Sequence, residues 1–179
     1  MTKTQVYAVG DARIARVEDC VIDSFPPERL LPEWREDDRR RLEQMSEAMA
    51  PDGRHVRLSV HSWVIQRQGK TIIVDTGAGA DKPRPFARHF DQLKTPYLAR
   101  LRDIGVSAAD VDYVLHTHLH VDHVGWNTTL VDGRWRPTFA NARHVFSAKE
   151  YAYFTDLEHC PATMAHILRR RNSWRRLAG

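Results

Sequence analysis

The stretch HTHLHVDHVG, residues 116–125, decides how the rest of the chain is read. It sets His116, His118, His120, Asp122 and His123 within eight residues, directly after the apolar run YVL. His118, His120 and Asp122 share parity, so on an extended chain leaving a strand they project to one side. His123 can join them only where the chain turns, and the nearby Gly125 makes a turn there plausible. Two imidazoles are then offered to one cation, and a carboxylate plus an imidazole to a neighbouring one. These are donor types that Zn²⁺, Fe²⁺, Mn²⁺ or Co²⁺ accept. Gathering such groups out of water with no cation between them is costly. His116, ahead of the run, reads as a packed side chain or one that orients a ligand.

Outward from this stretch, TIIVD (residues 71–75) is a nearly continuous apolar run that reads as a strand buried on both faces. GAGADKPRP is a loop, and TPYLARLRDIG a helix with Tyr97, Leu101 and Ile104 on one face and Gly105 as its stop. Its Thr-Pro pair suits the N-cap and first helical position. Ser107 caps a further turn before the strand VDYVLHT, and NARHVFSAKEYAYF reads as strand then helix. Towards the N-terminus, QVYAVG and RIARVED alternate as strands do, SFPPERLLP is a proline-broken loop, and RHVRLSVHSWVIQRQGK is a strand with its turn. Residues 33–50 form a charged helix with few apolar positions, suited to a peripheral cover, a solvated face or a contact in a homo-oligomer. The expectation is a single α/β domain with a β-rich N-terminal portion.

Composition narrows the partners. The chain has 179 residues, 42% hydrophobic and 28% charged, enough for one domain with a core. Its net charge of +4 belongs to residues 165–179, AHILRRRNSWRRLAG, which hold five arginines and no acid and so leave −1 for the rest. Basicity confined to one end is not a nucleic-acid footprint. No apolar run suits a signal peptide or reaches the roughly 20 residues of a membrane span. Cys20 and Cys160 alone make neither a disulfide framework nor a zinc ribbon. A cytoplasmic protein with no nucleic-acid or membrane partner is expected.

Residues 117–125, THLHVDHVG, resemble the H-x-H-x-D-H signature of the metallo-β-lactamase superfamily, and IIVDTG, residues 72–77, resembles its strand-end Asp-Thr-Gly element. DTGAG, HVDHVGWN and PTFANARHVFSAKEY are similar to the branch of acyl-homoserine-lactone lactonases and parathion-type hydrolases. The resemblance, over residues 55–155, implies the N-terminal half of a four-layer αββα sandwich. It implies two divalent ions, zinc first, with His118 and His120 on one and Asp122 and His123 on the other. Asp75 would orient ligands through hydrogen bonds. A metal-activated hydroxide would attack a small-molecule lactone, ester or organophosphate, with Asp122 also orienting that nucleophile or shuttling its proton. Trp126 and Asn127 would line the pocket or simply pack. A glyoxalase II-like thioesterase, and a non-catalytic fragment or metal-binding module working through protein contacts, remain as alternatives.

The resemblance further implies a later histidine, a bridging aspartate and a last histidine, often beginning at a Gly-His-Thr-Pro-Gly-His-like stretch, and no such stretch is present. His144 reads as a surface residue; His159 and His166 fall on loop or helix. The expectation is a C-terminally truncated member, with a frameshift or premature stop behind residues 165–179. Such a chain keeps two ligands per ion, has impaired activity, and leaves an apolar sheet face open.

Overall fold

The computed structural model describes residues 5–45 and 48–156, so His159, Cys160, His166 and the basic segment 165–179 lie outside the described residues. The chain divides into two compact units, Cys20–Val60 and the remainder.

A six-stranded sheet organises the fold, in the order β1 (Gln5–Val9), β2 (Ala12–Phe25), β3 (Val56–Arg67), β4 (Lys70–Val74), β5 (Tyr113–Leu115) and β8 (Arg143–Val145). A separate hairpin joins β6 (Thr128–Val131) to β7 (Arg134–Pro137). The β1/β2 and β3/β4 pairs are antiparallel, whereas β4/β5 and β5/β8 are parallel. Parallel neighbours need a crossover, and helix α3 (Tyr97–Asp103) supplies it between β4 and β5. This is the α/β class expected.

Strand parity splits the sheet into two unlike faces. Val64, Ile73 and Val114 stand side by side in register and are almost wholly buried. Tyr97, Leu101, Trp126 and Phe139 belong to the same core. Trp63, Ile65, Ile72, Val74 and Leu115 occupy the other face and keep part of their surface in water. β4 is therefore buried on one face and not on both: a continuous apolar run does not reveal whether each face has a cover.

Other boundaries differ from expectation for local reasons. Pro96, not Thr95, is the N-cap of α3, because the Thr95 hydroxyl donates to Asp19 instead. The hairpin was not anticipated, although Asp132 and Gly133, with φ of 49° and 70°, form the Asp-Gly turn that such hairpins favour.

In the smaller unit, Pro27 opens the four-residue helix α1 (Pro27–Leu30) inside the segment read as a loop, a position where its missing N–H costs nothing. Helix α2 covers Glu36–Gln44, shorter than residues 33–50, and buries no residue. With no apolar stripe to pack, its support is the local i,i+3 pairs Arg39–Glu36, Arg40–Asp37 and Arg41–Asp38. Past it, Asp52 accepts from the Arg54 and His55 amides and contacts His55 Nδ1, and the Arg54 amide above all holds its pKa down to about 2.

Candidate metal centre

Two loops leaving the C-terminal ends of β4 and β5 lie against each other, backbone to backbone. Asp75 N donates to Leu115 O at 2.8 Å, Thr76 N to His123 O at 2.7 Å, Gly125 N to Gly77 O at 2.7 Å and Trp126 N to Thr76 O at 2.8 Å. The approach is so close that a Cβ on Gly125 would stand 1.9 Å from the Ala78 carbonyl carbon. Gly125 thus serves this contact more than a turn. The turn itself precedes it, closed by His123 N donating to His120 O at 3.0 Å.

This seam brings the charged side chains together. Asp75, buried and in the left-handed region at φ 57°, accepts from Thr117 N at 2.9 Å, Thr117 Oγ1 at 2.7 Å and His123 Nδ1 at 2.9 Å. The His118 and His123 ring centroids are 4.0 Å apart. His118 Nε2 lies 3.0 Å from His120 Nδ1, and His123 Nε2 lies 3.6 Å from Asp122 Oδ2. Leu119, between the paired histidines, is anchored by its own N–H to Glu150 of α4 (Ala148–Thr155) at 3.1 Å and packs on Phe154.

Hydrogen-bond direction fixes the tautomers. Thr117 has a single hydroxyl proton and gives it to Asp75, so its contact with His118 Nδ1 at 3.0 Å is one in which Nδ1–H donates. His118 Nε2 then carries a lone pair. His123 Nδ1–H donates to the Asp75 carboxylate, which leaves the lone pair on Nε2, facing Asp122. His120 Nδ1 can accordingly donate to His118 Nε2.

Burial acts against charge on Asp75, but hydrogen bonds from His123 and Thr117 outweigh it and keep its pKa below the ordinary value. Burial likewise opposes the charge on His123, yet the hydrogen bond to Asp75 and the charge of Asp122 leave its pKa raised. His118 is pushed down by burial and then by its His123 and His120 neighbours.

Among the described residues no group of three or more His, Cys, Asp or Glu side chains could hold a metal ion; the donors stand in pairs. The family model of the metallo-beta-lactamase superfamily matches residues 55–171, which contain both loops. The chain belongs to the metallo-beta-lactamase superfamily.

Its likeness to individual proteins is partial. It is 39% identical over 56 residues to the N-acyl homoserine lactonase AttM of Azorhizobium caulinodans, a match covering 31% of this chain and 18% of that protein. The crystal structure of the hydrolase AbOPH of the beta-lactamase superfamily superposes with a TM-score of 0.67 at 23% identity, over 93% of this chain and 53% of the other. AidC, a dizinc quorum-quenching lactonase solved with the product N-hexanoyl-L-homoserine, superposes with a TM-score of 0.65 at 18% identity, over 93% and 57%. The chain spans about half the length of these solved structures and less than a fifth of AttM.

Other expected residues fall as follows. His116 is buried, accepts at Nε2 from the Asn127 amide at 3.1 Å, and stacks on His144 with centroids 5.9 Å apart. His144, read as a surface residue, has both ring nitrogens buried: its parity in β8 matches Val114 and turns it to the core face. Trp126 stacks on Tyr97 at 5.4 Å and Asn127 accepts from Thr76 at 3.0 Å, so both pack internally. Among the described residues no helix is long and apolar enough to cross a membrane.

Three contributors escaped sequence reading. Thr117 was visible only as motif filler. Ser62 donates to Asp75 O at 2.7 Å and contacts the Tyr97 hydroxyl at 2.6 Å, with no local signal. Asp19 lies inside the core, and an acid at the inward parity of RIARVED was its one trace.

Proposed function

We propose that the chain is a metal-dependent hydrolase in which His118 and His120 hold one divalent ion, zinc first, and Asp122 and His123 a second. The donor spacing carries this reading. Two donors on one tetrahedral zinc, each at about 2.0–2.1 Å, stand about 3.4 Å apart, and the two pairs here, at 3.0 and 3.6 Å, lie on either side of that. The His118 Nε2 lone pair points at His120 Nδ1, and His123 Nε2, the unprotonated nitrogen of its ring, lies 3.6 Å from Asp122 Oδ2. Ions held there supply Lewis-acid activation of water and of the scissile carbonyl or phosphoryl group.

The chain's own side chains have definite tasks. His120 Nδ1 presents a lone pair only when the ring proton sits on Nε2, so an ion at the first pair selects that tautomer of His120, with no net release of a proton. Asp75 fixes the tautomer of His123 through Nδ1–H, and Thr117 does the same for His118. Asp122, partly exposed and 3.6 Å from His123 Nε2, would in addition orient the attacking group or take its proton. Lactones, esters or organophosphates are the substrate class, in line with AttM and AidC being lactonases. A small molecule, neither nucleic acid nor a membrane, is the partner this reading calls for.

Pairs, against the three protein donors usual for a catalytic zinc, favour a second reading of a metal-binding module without turnover. A panel of lactones and phosphotriesters tested with the zinc-loaded chain separates the two. Hydrolysis above that of His118→Ala/His120→Ala is expected; rates equal to that double variant sink the hydrolase and leave the module.

A further inference from the structure

Asp19 is 1% exposed, yet its carboxylate meets four donors. Oδ2 accepts from Ala78 N at 2.7 Å and Gly79 N at 3.1 Å; Oδ1 accepts from Trp126 Nε1 at 2.9 Å and from the Thr95 hydroxyl. Arg100 Nη1 donates to its backbone carbonyl at 3.1 Å. Ala78 and Gly79 follow Asp75 by three and four residues, and Trp126 follows His123 by three. One buried carboxylate therefore joins both loops of the candidate centre. The glycine of the DTG element makes room for it, since a Cβ on Gly77 would lie 2.6 Å from Asp19 Oδ2.

We infer that Asp19 is a positioning residue for the centre: it ties the loop after Asp75 to the loop after His123 and thereby sets the Asp75–His123 hydrogen bond. This rests on the metal-centre reading above. A purely stabilising acid could sit anywhere in the core. Asp19 instead divides its two oxygens between the two loops, and each loop joins directly to one partner of that hydrogen bond.

Asp19→Asn discriminates. An amide keeps one acceptor and gains an NH₂ donor. With NH₂ on the Oδ2 side it would face two backbone N–H groups that cannot reverse. On the Oδ1 side the Thr95 hydroxyl can turn and accept, and the Trp126 indole N–H alone loses its acceptor. The variant thus severs one loop and spares the other. Trp126→Phe removes the same bond from the opposite end and keeps the carboxylate.

The experiment measures zinc affinity of the full chain by chelator competition. In parallel, long-range ¹⁵N–¹H spectra of the metal-free chain read the tautomer of His123. Asp19→Asn and Trp126→Phe should each weaken zinc binding about tenfold, at the low end of what outer-shell substitutions cost. Each should also reduce the Nδ1–H population of His123. The double variant should lose no more than the worse single one, because both delete one bond. A lowered melting temperature with unchanged affinity and unchanged tautomer overturns the inference; if Asp19→Asn does not fold, Trp126→Phe alone decides. A wild-type chain that binds no more zinc than His118→Ala defeats the metal reading, and the tautomer of His123 still decides on Asp19.

Discussion

His116 shows how one side chain couples stability to pH. Burial, and then the charge of His144, push its pKa from 6.5 down to about 4. His144 is lowered too, by burial. A histidine whose folded pKa lies below its unfolded value is stabilising while both states are neutral. Its contribution is complete above about pH 6.5 and is lost as pH falls towards 4. Urea unfolding of the metal-free chain at pH 7, 5.5 and 4 should show stability dropping across that window, with a shallower drop in His116→Asn; identical slopes would contradict the assignment. The four motif side chains were legible because their spacing is local. His144 and Asp19 were not: a lone His in RHV, or Asp in VED, carries no sign of the face it takes until its strand has neighbours.

At the level of elements, the seam between the β4 and β5 loops depends on absent side chains. A methyl at residue 125 has no space against the Ala78 carbonyl, which is backbone and cannot swing aside. Gly125→Ala should cost at least about 3 kcal/mol, the scale of severe overpacking, read by chemical denaturation. A loss below about 0.5 kcal/mol, the range of a neutral surface change, would show that the loops are not held this close. Strands, the α3 crossover and the Ser107 turn were readable from periodicity and punctuation. The β6/β7 hairpin carries one sequence mark, Asp132-Gly133. Its short strands, TTLV and RWRP, leave Leu130 and Val131 exposed and show no clean alternation.

Across the whole molecule, the unequal faces of the sheet make a contrast that adjacent residues can test. Ile73 is fully buried in the core, while its neighbour Ile72 points to the opposite face and stays partly exposed. Ile73→Ala should cost about 2–5 kcal/mol and Ile72→Ala distinctly less; equal losses would mean that the second face is covered as tightly as the first. The α/β class could be read from the order of strands and helices. The asymmetry could not, because TIIV is equally apolar on either parity.

The central claim is that His118 with His120, and Asp122 with His123, grip divalent ions where the two loops meet. X-ray absorption at the zinc edge, on the full chain loaded by dialysis, tests it most directly. The account predicts imidazole nitrogen and carboxylate oxygen at about 2.0–2.2 Å, without sulfur, and loss of the bound zinc in His118→Ala/His120→Ala/Asp122→Ala/His123→Ala. Zinc retained in that variant, or a first shell containing sulfur at about 2.3 Å, would place the metal elsewhere and contradict it.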